Sequence, residues 1–445
     1  MNQFTASLWG DEGFSAILSM KPVPEIIKIL MHDTSPPLYN LTEHLAFQIF
    51  GTSEIVIRSL SFSYYCLATL FIYLIVSYLW DKKSALLASS LSFFNPFFFI
   101  YAFEGRMYSI MALGVTASMY FFVRLYFLPD KIKKAPIFLI LGYVFSTTWA
   151  LYSHHFAIFI IFIQGFWWLT LIIQKSKKRL WILISFLLTA IAYTPWLYPL
   201  YLQTKMIGSG FWLGTPTQED LINLIFDYLA QGQNSPFAKP TLYLVLLTLT
   251  IRIWTRNIKK TFISVTWFMG PILITWIISR YFQSIFYNRY LLYTIPAAMI
   301  LVATNRRRYI SIILTGIILG LFIRIDYYYF THPTKAPFRE YATYIKEQRR
   351  GDDYLIIGNA GNHKLWETKY YGIPAPIYVP DGSDLPFFVG TALMEKSDII
   401  SAIPGRPNRI GVISSGHVDE VVIPGYTKTT EIVTFGDLKF QWLEK

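Results

Sequence analysis

Charge is what this sequence has least of. Of its 445 residues only 15% are Asp, Glu, Lys or Arg, whereas 54% are hydrophobic and 18% aromatic. Soluble globular domains carry about 25% charged residues, and a chain this poor in charge cannot clothe a soluble particle of this size. The same apolar excess excludes intrinsic disorder and a collagen-like fibre. Cysteine is almost absent: Cys66 stands alone, which excludes a disulfide scaffold. Internal repeats and low-complexity segments are lacking too. What remains, at a mean hydropathy of +0.40, is an α-helical polytopic membrane protein.

A spanning helix needs about 20 mostly apolar residues. Ten runs fit, near 58–80, 84–101, 108–127, 135–152, 155–173, 180–200, 241–255, 261–280, 289–304 and 309–326. Lys82-Lys83, Lys131/Lys133/Lys134, Lys175 to Arg179, Arg252 to Lys260 and Arg306-Arg307-Arg308 fall in every second loop. The positive-inside rule makes those loops cytoplasmic, and an even number of spans then leaves both termini outside. A net charge of +12 would suggest nucleic acid in a soluble domain. Here it is first a topology signal, and no nucleic-acid partner is expected.

Acidic residues distribute the opposite way. Only Asp81 and Asp130 sit in the basic loops, while Asp11, Glu12, Glu25, Asp33, Glu43, Glu54, Glu104, Glu219, Asp220 and Asp227 map to the outer side. Solvated loop charge accounts for Glu25, Glu43, Glu219 and Asp220. Asp11, Glu12, Asp33 and Glu104 differ in lying within aromatic and Pro-rich sequence. Residues 1–57, too polar and too broken by Pro to span, read as a first extracytoplasmic loop with amphipathic helices. Residues 58–326 form the transmembrane domain. Residues 327–445 read as a small extracytoplasmic α/β domain, with a helix at 338–350 and strand-like runs at 354–357, 409–413, 430–435 and 438–442.

Five short constellations fall on the outer side. In Trp9-Gly10-Asp11-Glu12-Gly13, adjacent carboxylates at a membrane surface can form a partly desolvated base; an ordinary acidic turn explains the same residues. In His32-Asp33-Thr34-Ser35-Pro36-Pro37, two prolines stiffen the backbone that presents His32 and Asp33; a turn ahead of a helix is the plainer account. In Glu104-Gly105-Arg106-Met107-Tyr108, the guanidinium can grip a phosphate bidentately, or snorkel to head groups. Tyr152-Ser153-His154-His155 invites a metal reading, but no ligand set completes it; hydrogen bonding to phosphate or sugar, or a structural role, fits better. Tyr287-Asn288-Arg289-Tyr290 again puts an arginine at head-group depth.

Taken in order, Leu8-Trp9-Gly10-Asp11-Glu12, His32 to Tyr39, Phe50-Gly51-Thr52-Ser53-Glu54 with Arg58-Ser59-Leu60, Glu104 to Tyr108 and Arg289-Tyr290-Leu291-Leu292 resemble a known family. It is the bacterial GT-C glycosyltransferases of the dolichyl-phosphate-mannose-protein mannosyltransferase and aminoarabinose transferase group. The likeness runs from about residue 7 to about 380, and Lys335 to Asp353 resembles the group's extracytoplasmic tail. It implies a multi-spanning, inverting enzyme that moves a sugar from a polyprenyl-phosphate donor to a protein, lipid or glycan acceptor outside the cytoplasm, among membrane lipids. The family's essential carboxylate matches Asp11, with Glu12 beside it. Two departures stand out. Relatives usually have a span ahead of the acidic motif, which implies an eleventh span and a cytoplasmic N-terminus in a complete protein. Ser35 stands where relatives often carry His. Relatives also differ in metal requirement, so a divalent metal is left open.

On this reading Asp11 is the catalytic base, with Glu12 or Glu104 orienting the acceptor or tuning that base. Arg106, Arg289 and Tyr108 bind the donor phosphate, and His32, Asp33, Glu104, His154 and His155 contact sugar or acceptor. The competing class is a flippase or transporter of a lipid-linked sugar. Its functional charges would line a path near the midplane, whereas here the charges gather at span ends.

Overall fold

The computed structural model describes residues 2–130, 132, 134–208, 210–230, 235–251, 258–304 and 308–445. Lys131, Lys133, Arg252, Arg256, Arg306 and Arg307, counted above among the loop charges, lie outside them. Among the described residues six helices are long and apolar enough to cross a membrane: Glu54–Leu79, Tyr108–Tyr126, His155–Ile173, Lys178–Gly208, Ile258–Tyr281 and Ile312–Thr331. A bent pair, Lys82–Phe93 and Pro96–Phe103, turns by 58° and makes a seventh if its halves are taken as one span. Ile137–Ser153 and Ala238–Thr250 are apolar but shorter. The run at 289–304 is divided into Asn288–Leu291, a 3-10 turn at Leu292–Thr294, and Ile295–Ala303. Each of the ten expected runs is therefore helical in its described part, yet six, or seven with the bent pair, have the length and composition of a span.

The bend has a local cause. Pro96 cannot donate to the preceding turn, and Asn95 caps the new helix, its Oδ1 accepting from Phe98 N at 3.0 Å. Its Nδ2 donates to Tyr228 O at 2.9 Å, and the Tyr65 hydroxyl lies against the Ser92 and Phe93 carbonyls freed at the break.

By its contacts the chain forms two compact units. The helical unit comprises residues 35–39 and 58–331. Its interior is joined by a polar chain: Tyr143 donates to Gln164 Oε1 at 2.6 Å, Gln164 Nε2 donates to Ser118 Oγ at 3.0 Å, and Ser118 bonds Thr147 at 2.8 Å. Gly114 lets Tyr108–Tyr126 lie against Ile137–Ser153, since a Cβ there would sit 2.8 Å from Ala150 Cα. Small residues at a crossing are the usual device for helices that gain nothing from mutual hydrophobic attraction in lipid. The outer faces carry bare apolar side chains such as Phe138, Phe145 and Ile173, exposed by 77%, 67% and 80%. Such a surface suits lipid and not water.

The other unit is assembled from residues 1–34, 40–57 and 332–445. Its sheet contains β1 Tyr354–Ile357, β2 Ile377–Tyr378, β3 Ile399–Ile400, β4 Arg409–Ser414, β5 Thr427–Lys428, β6 Val433–Phe435 and β7 Leu438–Glu444. The order is β3-β2-β1-β4-β7-β5, with β6 paired to β7. The first four strands in that order are parallel; β7 runs antiparallel to its neighbours. The expected helix is Phe338–Gln348, and the four expected strands are β1, β4, β6 and β7. Ile356, Ile410, Val412 and Leu443 form the apolar core on the sheet.

Two glycines set the position of the N-terminal helix Gly10–Ser19 on the helix Lys364–Tyr370. A Cβ at Gly10 would lie 2.3 Å from His363 Cβ, and one at Gly13 would lie 3.1 Å from the Trp366 carbonyl carbon. One turn on, Phe14 meets the buried Trp366 edge-on at 5.3 Å. Gly10→Ala or Gly13→Ala should therefore force these helices apart and cost about 1–3 kcal/mol. Thermal unfolding of the purified chain in detergent reads this directly, as a lowered Tm for either variant.

Candidate functional site

Trp9 precedes the first turn of Gly10–Ser19, so Asp11 and Glu12 occupy its N-terminal turn, where the helix dipole favours negative charge. Their neighbouring positions have opposite surroundings. Glu12 is wholly buried: Oε2 accepts from Trp9 N at 3.3 Å and Oε1 pairs with Lys335 Nζ at 2.8 Å. It caps the helix, and Lys335 balances its buried charge. Asp11 keeps 14% of its side chain exposed, and its Oδ1 lies 3.7 Å from Nδ1 of His363, which is 41% exposed. Asp11 is thus the accessible carboxylate of the pair, with an imidazole alongside that reaches solvent.

More of the same unit is held by acids. Glu54 Oε1 accepts from Arg339 Nη2 at 2.5 Å and from Tyr371 at 2.9 Å. Glu43, expected to be a solvated loop charge, is instead completely buried and accepts from Ser19 at 2.7 Å. Asn40 Nδ2 also donates to Ser19 Oγ, at 3.0 Å. Helix Leu38–Phe50 is thereby stitched to the C-terminal end of Gly10–Ser19. A lone acid in polar sequence gives no sign of its partner, which is why Glu43 reads as solvated. Glu25 does stay at the surface, paired with Lys21 at 2.6 Å. His32 is exposed and turns back on Lys28 O at 3.1 Å, whereas Asp33 is buried.

In the helical unit, a second group gathers around Arg289. Its guanidinium lies over the Tyr287 ring at 5.1 Å and the Tyr108 ring at 5.7 Å. Arg106 and Arg289 both act electrostatically on His154, and Glu104, Tyr108 and Arg289 all act on Tyr101. Tyr290 packs on His154 and Phe156, each at 5.0 Å. The residues Glu104, Arg106, Tyr108, His154 and Arg289, picked from separate motifs, are therefore brought together here. Glu104, Tyr108 and His154 are buried. Aromatic faces attract a guanidinium through the ring quadrupole and help to fix where it lies.

His155 also acts electrostatically on His154, and its own ring is tied elsewhere. Its Nε2 bonds Gln203 Oε1 at 2.7 Å and its Nδ1 bonds the Tyr193 hydroxyl at 3.2 Å. Gln203 Nε2 in turn donates to Ser35 O at 3.4 Å, which links His155 to the Pro-rich turn. Among the described residues no group of three or more His, Cys, Asp or Glu side chains is arranged to hold a metal ion.

No protein-family model matches the chain, and no curated protein matches it. Solved structures do. ArnT from Cupriavidus metallidurans in the apo state aligns over 99% of this chain and 94% of its own, with a TM-score of 0.68 at 12% identity. The same protein bound to undecaprenyl phosphate aligns over the same shares, with a TM-score of 0.66 at 11% identity. The oligosaccharyltransferase of Archaeoglobus fulgidus, in complex with Zn and sulfate, covers 92% of this chain and 64% of its own, with a TM-score of 0.57 at 12% identity. The chain has an ArnT-like fold.

Within this ArnT-like fold, Lys335 and His363 are the residues that the motifs missed. Lys335 opens the tail segment already noted as family-like, so a signal existed. His363 is one histidine between Asn362 and Lys364, and only the packing of Gly10 against it reveals its place. Close by, Glu367 is buried, and burial first, then the charges of Asp437 and Glu12, push its carboxyl up to about 7 against the opposing Lys364. The folded state then holds this proton more tightly than the unfolded chain does. The resulting stabilisation is complete at low pH and is lost as pH rises through about 7, amounting to about 3 kcal/mol. Between about pH 5 and pH 8 the Tm of the wild-type chain should fall further than that of Glu367→Gln, when both are melted in the same detergent and salt.

Proposed function

We propose that this chain is an inverting glycosyltransferase that moves a sugar from a polyprenyl-phosphate donor to a hydroxyl-bearing acceptor on the extracytoplasmic face of the membrane. The observation that carries the reading is the convergence of Arg106, Arg289, Tyr108 and His154, in a chain with the fold of ArnT, which has been crystallised with undecaprenyl phosphate. Two guanidiniums acting at one place, that of Arg289 over two aromatic rings, suit a phosphate. An apolar groove of about 470 Å³, along Leu141, Phe145, Thr148, Trp149 and Tyr152, is suited to a prenyl chain. The basic loops favour an extracytoplasmic position for both motif sets.

The chemistry follows from these groups. The acceptor oxygen attacks the anomeric carbon opposite the phosphate, and the bond from that carbon to the phosphate oxygen breaks with its electron pair going to the phosphate. Arg106 and Arg289 take up the charge that develops there. Asp11 accepts the hydroxyl proton as the new bond forms, and His363 passes that proton to solvent. Glu12, closed off by Trp9 and Lys335, holds the helix turn that presents Asp11. Phosphate leaves without protonation, so a glycosidase-like acid is not required.

Reconstituted vesicles supplied with radiolabelled polyprenyl-phosphate sugar test the assignment. Asp11→Asn should lower kcat by about 10²–10⁴-fold, and Arg289→Ala should weaken donor binding. Transfer by Asp11→Asn at the wild-type rate would remove Asp11 from the mechanism. Carrier lipid crossing the bilayer with no transfer by the wild type would favour a transporter instead.

A further inference from the structure

A pocket of about 390 Å³ opens in the helical unit next to Arg289, between residues 214–216, one face of helix Gln218–Ala230, and residues 286–288. Its size lies within the range of small-molecule sites, about 300–1,000 Å³. Asp220, Asn223 and Asp227 recur at helical spacing and so share the lining face. Phe286, Tyr287 and Asn288 form the opposite wall.

Both walls are pinned. Trp276 Nε1 donates to Thr217 O at 2.9 Å, Arg280 Nη1 to Pro216 O at 3.1 Å, and Ser284 to Gly214 O at 2.7 Å. The hydroxyl of Tyr228 donates to Asn288 O, and Asn288 Oδ1 accepts from Arg289 N at 2.7 Å. Tyr287 therefore serves two places, lining the pocket and carrying the Arg289 guanidinium at 5.1 Å.

The lining decides the ligand class. Among the described residues that line it there is no Lys or Arg, so an anion would meet carboxylates and no counter-charge. A wholly apolar ligand would leave the Asp227 carboxyl buried against a surface that offers it no hydrogen bond. A ring with many hydroxyls satisfies both constraints, because its hydroxyls donate to Asp and pair with Asn while its C–H face lies on Phe286 and Tyr287. Burial pushes the Asp227 carboxyl up to about 6.

We propose that this pocket receives the sugar ring of the donor whose phosphate Arg289 holds, with Asp227 and Asn223 bonding its hydroxyls. The assignment rests on the function proposed above. The test uses the full chain in lipid nanodiscs, titrated with undecaprenyl phosphate and with a panel of undecaprenyl-phosphate-linked hexoses and pentoses. The wild type should prefer at least one glycosylated lipid over the bare lipid by about tenfold or more. Asp227→Asn keeps the side-chain shape, and Asn223→Ala alters an exposed position; both should cut that preference by about tenfold while bare undecaprenyl phosphate binds within about twofold of wild type. A preference unchanged in both variants, or no preference in the wild type, overturns the sugar pocket. Bare-lipid affinity that is unchanged in Arg289→Ala overturns the phosphate reading instead, so the two failures are distinct.

Discussion

Glu12 is a carboxylate with no exposed surface, and Lys335 balances it at 2.8 Å. Leaving either charge buried alone would cost about 3–5 kcal/mol. The pair therefore compels two distant stretches of chain to stay together. It is reinforced by Leu8 N donating to Tyr371 at 2.8 Å, a contact across 363 positions, and by Arg339 on Glu54. Gly10 and Gly13 then fix how near the two sides come. Everything proposed for Asp11 depends on this clamp, because Asp11 is the next residue along from the one the clamp holds.

The same constraint separates two roles that look identical in the string Asp-Glu. A helix turn points successive side chains in directions about 100° apart. Glu12 is sent inward to a lysine, and Asp11 is left facing His363 and solvent. An adjacent acid pair thus supplies one structural carboxylate and one that is exposed enough for chemistry. Around Arg289 the setting is different: the guanidinium lies over the rings of Tyr108 and Tyr287, aromatic faces that attract a cation.

Much of the fold is legible in the sequence because its signals are local. Apolar runs of twenty residues give most of the helices, and the β-branched runs at Tyr354–Ile357 and Arg409–Ser414 give the central strands. Strands β2, β3 and β5 have two residues each, too few for any alternation to register. Asn95-Pro96 carries a break inside an otherwise continuous apolar run, and hydropathy averages it away. In the site, Glu104, Arg106, Tyr108, His154 and Arg289 are found because they sit in three compact motifs. His363, Glu43 and Glu54 owe their meaning to partners far along the chain, and a sequence window contains only neighbours.

The way the clamped unit is assembled has a consequence for biosynthesis. Its first segments, up to residue 57, leave the ribosome before residues 58–331 of the helical unit, and its remainder from residue 332 leaves after. At about 5–20 residues per second the interval lasts on the order of tens of seconds. Throughout it Lys335, Arg339 and the Lys364–Tyr370 helix do not yet exist, and the acidic N-terminal helices carry their charges without the groups that later enclose them. A polypeptide stalled before residue 332 therefore lacks the groups that surround Asp11 and Glu12 in the folded unit.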